Sequence, residues 1–201
     1  DDGAGGTNRK ATMSRLATYM GTKIGGGMEF IASSGAISNA ASVQFRAQDG
    51  HFDSTKYDHY VFYFQHVVPA TDNVNAFMQT STNDGSAYAS TSGDYHYNSN
   101  VDTTGLIVTA DNQVGSETNE FGISGPFHLY SPHTTAYTYS YSDVVFISDD
   151  ADSYIYHASH NHPSKGASVR LAAEDVDAVK FLFSSGNIES GEITMFGIVN
   201  S

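Results

Sequence analysis

A chain of 201 residues with a formal net charge of −13, no cysteine and no tryptophan has room for one domain with a sizeable core. The charge excludes the phosphate-neutralising surface of a nucleic-acid binder, and the missing thiols exclude a disulfide framework and a thiolate zinc site. No apolar run reaches the roughly eighteen residues of a membrane-spanning helix, so no membrane insertion is expected.

Charge divides the chain. Residues 1–23 hold Arg9, Lys10, Arg15 and Lys23 against Asp1 and Asp2, a net +2, which leaves −15 for residues 24–201. In the first part, Thr7 or Asn8 caps a predicted helix whose Met13, Leu16, Ala17 and Met20 fall at i, i+3, i+4 and i+7. Gly21 offers its C-terminal stop. A helix of about three turns is marginal alone in water, so its apolar stripe needs a partner, either its own domain or copies of itself. Gly25–Gly27 has too much backbone freedom for an element interior. The expected organisation is a helical neck over 1–24, a glycine junction at 25–27 and a second domain over 28–201. Beginning on Asp1, the sequence reads as the C-terminal part of a longer chain.

From Met28 onward, short runs rich in Val, Ile, Phe, Tyr and Thr alternate with clusters of Gly, Asn, Asp and Ser, an all-β texture. Predicted strands lie at 28–33, 42–46, 57–67, 74–82, 86–90, 93–99, 105–109, 121–131, 136–148, 153–159, 167–173, 177–185 and 191–199. Turn chemistry supports them: "NDG" at 83–85 and "SSGN" at 184–187 carry the residues that tolerate positive φ. Val179, Phe181 and Phe183 share one face of their strand, opposite Lys180 and Leu182. About a dozen short strands fit an antiparallel, jelly-roll-like β-sandwich, with a closed barrel as the alternative.

The stretches "FDSTKYDHYVFYFQHVVPATDNVNAFMQTSTNDGSAY" (52–88), "GDYHY" (93–97) and "VDAVKFLFSSGNIESGEITMFGI" (176–198) resemble the C-terminal β-sandwich domain of bacteriophage tail-fibre and other virion surface proteins, marine phages especially. The likeness spans roughly 28–201. "DDGAGGTNRKATMSRLATYM" (1–20) resembles the last unit of the fibre repeats that precede such tips, where an acidic-glycine turn leads into "x-x-T-x-x-x-L-A". The resemblance implies a homotrimeric fibre tip on the virion surface, synthesised in the host cytoplasm and placed to contact other virion proteins and the bacterial surface. It brings no catalytic residues. Its matching aromatics, Tyr57, Phe62, Phe64, Phe181, Phe183 and Phe196, are read as core packing.

Three constellations could carry chemistry. "GDYHYN" sets Tyr95 and Tyr97 on one strand face with His96 opposite, and "AYTYSYSD" sets Tyr137, Tyr139 and Tyr141 on one face of another. Such tyrosines either stack on the apolar faces of sugar rings or form cross-strand pairs within the sheet. "SDDADS" holds Asp149, Asp150 and Asp152, and "STNDGS" holds Asn83 and Asp84. These offer oxygen ligands for calcium without the spacing of an EF-hand, or form plain solvated turns. "HASHNHP" (157–163) in extended backbone turns His160 and His162 to one side and His157 to the other. Two imidazoles from each of three chains would give six ligands for a transition metal on a trimer axis, and "HNH" resembles His-x-His pairs at the axes of some phage fibre and spike tips. The plain alternative is a solvated loop closed by Pro163.

Neither H-E-x-x-H nor G-x-S-x-G occurs, so no enzymatic activity is expected. The expected function is host-cell attachment by binding a bacterial surface glycan. The alternatives are a virion decoration or assembly protein without receptor binding, and a polysaccharide depolymerase built on a converging carboxylate pair.

Overall fold

The computed structural model describes residues 13–15, 27–97, 101–109, 113–117, 120–147, 155–157 and 166–200. Of the expected neck helix, residues 13–15 are described and are helical, with Met13 exposed; its other positions lie outside the described residues.

Strands follow wherever apolar residues recur with a period of two. In chain order they are β1 (Met28–Ser33), β2 (Ile37–Ala40), β3 (Val43–Arg46), β4 (Tyr57–Pro69), β5 (Ala76–Ser81), β6 (Tyr95–Tyr97), β7 (Val101–Thr103), β8 (Leu106–Ile107), β9 (Ile123–Tyr130) and β10 (Tyr139–Ser142). Then come β11 (Val145–Ile147), β12 (Ile155–His157), β13 (Ala167–Arg170), β14 (Ala178–Phe183) and β15 (Ile188–Val199). All pairing among the described residues is antiparallel. The larger sheet runs β1-β15-β4-β9-β10-β13-β6-β7, with β2 on β15 and the β11–β12 pair on β9; the smaller runs β3-β14-β5-β8. The all-β expectation holds, and the fold is an antiparallel sandwich of unequal sheets. Among the described residues the larger sheet joins eleven strands and the smaller four.

The sheets meet through rings. Phe181 of β14 packs edge-on against Phe62 and Phe64 of β4, at 4.9 and 5.2 Å between centroids, and against Phe127 of β9 at 6.0 Å. Phe45 of β3 closes the group against Phe62 at 5.5 Å. All five rings are at most 2% exposed, and each edge-to-face pair adds roughly 0.5–1.5 kcal/mol to the burial itself. Val179, Phe181 and Phe183 are buried on one face of β14, as their alternation predicts. One aromatic differs from expectation. Phe196 sits on the outward face of β15, partly buried and edge-on to exposed Phe30 at 6.1 Å, because Ile193 and Met195 take the inward positions of that strand.

Local chemistry explains where predicted strands broke. Residues 86–90 form no strand, since the Asn83 side chain accepts the Ala87 N–H and the Ser81 hydroxyl, folding the segment back on β5. The long run 136–148 splits into β10 and β11 where the facing strand carries Gly125, at φ 122, and Pro126, which has no N–H to donate. β2 and β7 went unforeseen, as "ISNA" and "VDT" are too short to show a period.

A bulge shapes the far end of β4. Its register against β9 shifts between Phe64 and Val67, with His66 in the left-handed region at φ 48. Gly191 of β15 allows this: a Cβ there would lie 2.5 Å from the His66 carbonyl oxygen, and its own φ is 117.

Replacing Phe181 by Ala should cost about 3–5 kcal/mol in urea unfolding, the range for an aromatic removed from a packed core. Gly191→Ala should cost about 3 kcal/mol or more, since the clash is with backbone. Gly35→Ala, at φ 63 with nothing within 4 Å, should lose only the roughly 1–2 kcal/mol of a left-handed residue.

Candidate ligand-binding face

Because Tyr60, Phe62 and Phe64 fill the inward positions of β4, His59, Val61, Tyr63 and Gln65 must point outward. Phe127 and Leu129 likewise send His128 and Tyr130 of β9 outward, and buried Ser140 and Ser142 send out Tyr139 and Tyr141 of β10. Register then lines these side chains up. His59 faces Tyr130, which faces Tyr139; Val61 faces His128, which faces Tyr141.

The first row is a stack. The His59 and Tyr130 rings lie 4.3 Å apart at 25°, and Tyr130 and Tyr139 lie 4.9 Å apart at 15°. His128 and Tyr141 extend it sideways at 6.3 Å. Tyr139 is 48% exposed, so ring faces and hydroxyls at this end remain open to an external molecule.

The two imidazoles are tied together by a hydrogen bond of 3.0 Å between His59 Nε2 and His128 Nδ1. One nitrogen must donate and the other accept, so at least one of the pair stays neutral. Burial, assisted by the neighbouring His128, holds His59 down at about 4. Burial also lowers His128, against the upward pull of the Asp143 carboxylate. Burial first, then Tyr139 and Tyr141, raises the Tyr130 phenol. At neutral pH the row is an uncharged aromatic platform carrying hydroxyl and N–H groups.

The sequence-predicted residues separate into three fates. Tyr139 and Tyr141 join this face, while exposed Tyr137 lies just before β10, beyond the stacked rings. Tyr95 and Tyr97 do not join it: they point inward and are 0% and 1% exposed. The Tyr95 hydroxyl crosses the sandwich to accept the Thr80 N–H of β5 at 2.8 Å, under the Arg170 guanidinium. Tyr97 packs with Ile107 and Phe77. Their role as ligand contacts is therefore corrected to core packing; the outward residue of β6 is His96, paired with Asp102 at 2.9 Å. The proposed metal ligands His160 and His162, and the calcium candidates Asp149, Asp150 and Asp152, lie outside the described residues. At the other acidic turn, Asn83 and Asp84 turn their side-chain oxygens onto backbone N–H groups of Ala87 and Gln48.

His59, His128 and Tyr130 were missed. Alternation within 57–67 and 123–130 does set them opposite the core aromatics, but only the register shows that they meet. A further histidine, His133, links Tyr60 at 2.7 Å with Asp175 at 3.3 Å. Tyr60 is fully buried, and burial holds its phenol well above the ordinary value. This relay ends in a protonated, enclosed hydroxyl and acts as a structural tie.

No family model matches the chain, and no curated protein is significantly similar to it.

The folded protein holds the His59 proton more weakly than the unfolded chain does. Between pH 6.5 and about 4 the unfolded state therefore binds more protons, and stability is complete above that window and lost as pH falls through it. The thermal midpoint should drop across this range, and His59→Gln should drop less than the parent in matched calorimetric scans. Equal drops would show that the imidazole pair carries none of the acid sensitivity.

Proposed function

We propose that this protein is a non-enzymatic attachment module, a virion fibre tip that binds a bacterial surface glycan on the outward face of its larger sheet. The observation that carries the reading is the stacked His59–Tyr130–Tyr139 row, half open to solvent. Sugar rings present flat C–H faces that lie well on aromatic rings, while their hydroxyls need donors and acceptors at the rim. The tyrosine hydroxyls and the neutral imidazoles supply both. An unprotonated row suits this task better than an ion pair would, because no charge must be stripped of water when the ligand docks.

The face is shallow, so each copy binds weakly. On a homotrimer at a fibre tip, the linked copies would raise the effective strength by orders of magnitude without new contacts. The resemblance to phage fibre tips supports that placement on the virion surface. Calcium or an axial transition metal would belong to the assembly rather than to this row.

A second reading draws on the sheet edge. β1 ends the larger sheet and exposes Met28 by 56% and Phe30 by 64% beside Phe196. An open apolar edge of this kind favours contact with protein, a neighbouring copy or another virion component. A purely architectural protein would have this edge and no receptor.

Binding of soluble protein to host cells separates the two readings. Tyr139→Ala and Tyr141→Ala should each weaken adsorption roughly two- to tenfold, the loss of one stacked ring, with the thermal midpoint nearly unchanged. Tyr137→Ala should change adsorption less. Undiminished adsorption in the Tyr139→Ala, Tyr141→Ala double variant would remove this face from host recognition.

A further inference from the structure

Building on the glycan reading, we infer that the ligand is an extended, uncharged polysaccharide lying along β4, one end on the Tyr139–Tyr130–His59 row and the other in a cleft beside Phe121. The outward residues of β4 run from His59 through Val61 and Tyr63 to Gln65. At about 3.3 Å per residue, the row and Gln65 are about 20 Å apart, a length that only a chain of several sugars covers. Tyr63 stands midway, 45% exposed, between Thr194 of β15 and Pro126 of β9 in the register.

The track ends at the β4 bulge. There the His66 N–H donates to Ser124 Oγ at 3.2 Å, and the His66 ring lies 6.1 Å from that of Phe121. Phe121 is 67% exposed and forms a wall between two depressions. On one side is an open cleft of about 440 Å³, walled by Gln65, Glu120, Ser190 and Glu192. On the other is an apolar hollow of about 260 Å³ against Val145 and Ile147. An aromatic wall with amide, hydroxyl and carboxylate acceptors at its foot matches a sugar ring, which is apolar on its face and hydroxylated around its edge. Bulges are favoured where a strand must re-aim side chains next to a site, and this one turns His66 toward Phe121.

Charge narrows the class. The outward positions of β15, β4, β9, β10 and β13 hold no Lys or Arg. The described cations of the sandwich face elsewhere or are engaged. Arg46 and Lys180 belong to the smaller sheet, Lys56 pairs with Glu29, and Arg170 is buried and paired with Glu174. Glu120 and Glu192 remain at the cleft. A chain of uronic acids or phosphodiesters would bring like charge to these carboxylates with no free Lys or Arg among the described residues of this face to offset it, which is unfavourable.

The test uses the whole chain against immobilised neutral polymers (dextran, mannan and β-glucan, with their size-graded oligosaccharides) and polyanionic ones (alginate, polygalacturonate and hyaluronan). Affinity for at least one neutral series should rise with chain length until the chain spans the track, and then level off. Phe121→Ala should weaken the long chains about tenfold and leave disaccharides unchanged, whereas Tyr139→Ala should weaken both. Gln65→Ala provides a second probe of the cleft. A polyanion bound as tightly as the best neutral polymer would overturn the charge argument. Length-independent affinity, or full binding by both cleft variants, would overturn the extended site and leave the aromatic row standing. Failure of every polymer to bind would overturn the glycan reading and this inference together.

Discussion

The wedge of Phe181 between Phe62, Phe64 and Phe127 is the contact on which the rest depends. Side chains alternate along a strand, so fixing which residues of β4 and β9 meet β14 also fixes which face water. A slip of one residue in either strand would bury His59 and His128 and expose phenylalanines. The aromatic row is thus held in place by the core behind it. Its rings need no contacts of their own to choose their side of the sheet.

Register adds what parity alone cannot. The antiparallel ladder brings His59, Tyr130 and Tyr139 into one line across three strands, and neighbouring strands lie about 4.8 Å apart, close to the spacing of stacked rings. Sheet geometry and ring stacking therefore reinforce each other. The same ladder must give way at the far end of β4, where the bulge at His66 breaks the pairing and Gly191 makes room for the displaced backbone. One strand so carries a regular platform at one end and an irregular cleft at the other.

Electrostatics is consistent along the face. Partial burial strips water from the imidazoles and favours their neutral forms, and the hydrogen bond between them requires an unprotonated nitrogen. Among the described residues of the sandwich, the cations lie on the other sheet (Arg46 and Lys180), in an ion pair (Lys56) or inside (Arg170). The outward strand positions of the aromatic face accordingly carry no Lys or Arg among the described residues, the feature on which the proposed preference for neutral, hydroxyl-rich ligands rests.

The sequence by itself determined the all-β class, most strand positions, and which residues share a face in β14 (Val179, Phe181, Phe183) and in β10 (Tyr139, Tyr141), because these follow from composition and a period of two within single segments. It placed Tyr95 and Tyr97 wrongly as ligand contacts, since a period of two says which residues share a face and not which face is inside. That choice depends on Thr80 of β5 waiting across the sandwich for the Tyr95 hydroxyl. The meeting of His59, His128 and Tyr130, the unequal sheets and the cleft at Phe121 join residues far apart in sequence, as the His59–His128 bond and the Met28–Ile198 pairing show. Only the tertiary structure decided them, because strand register is a property of pairs of segments and no single segment carries it.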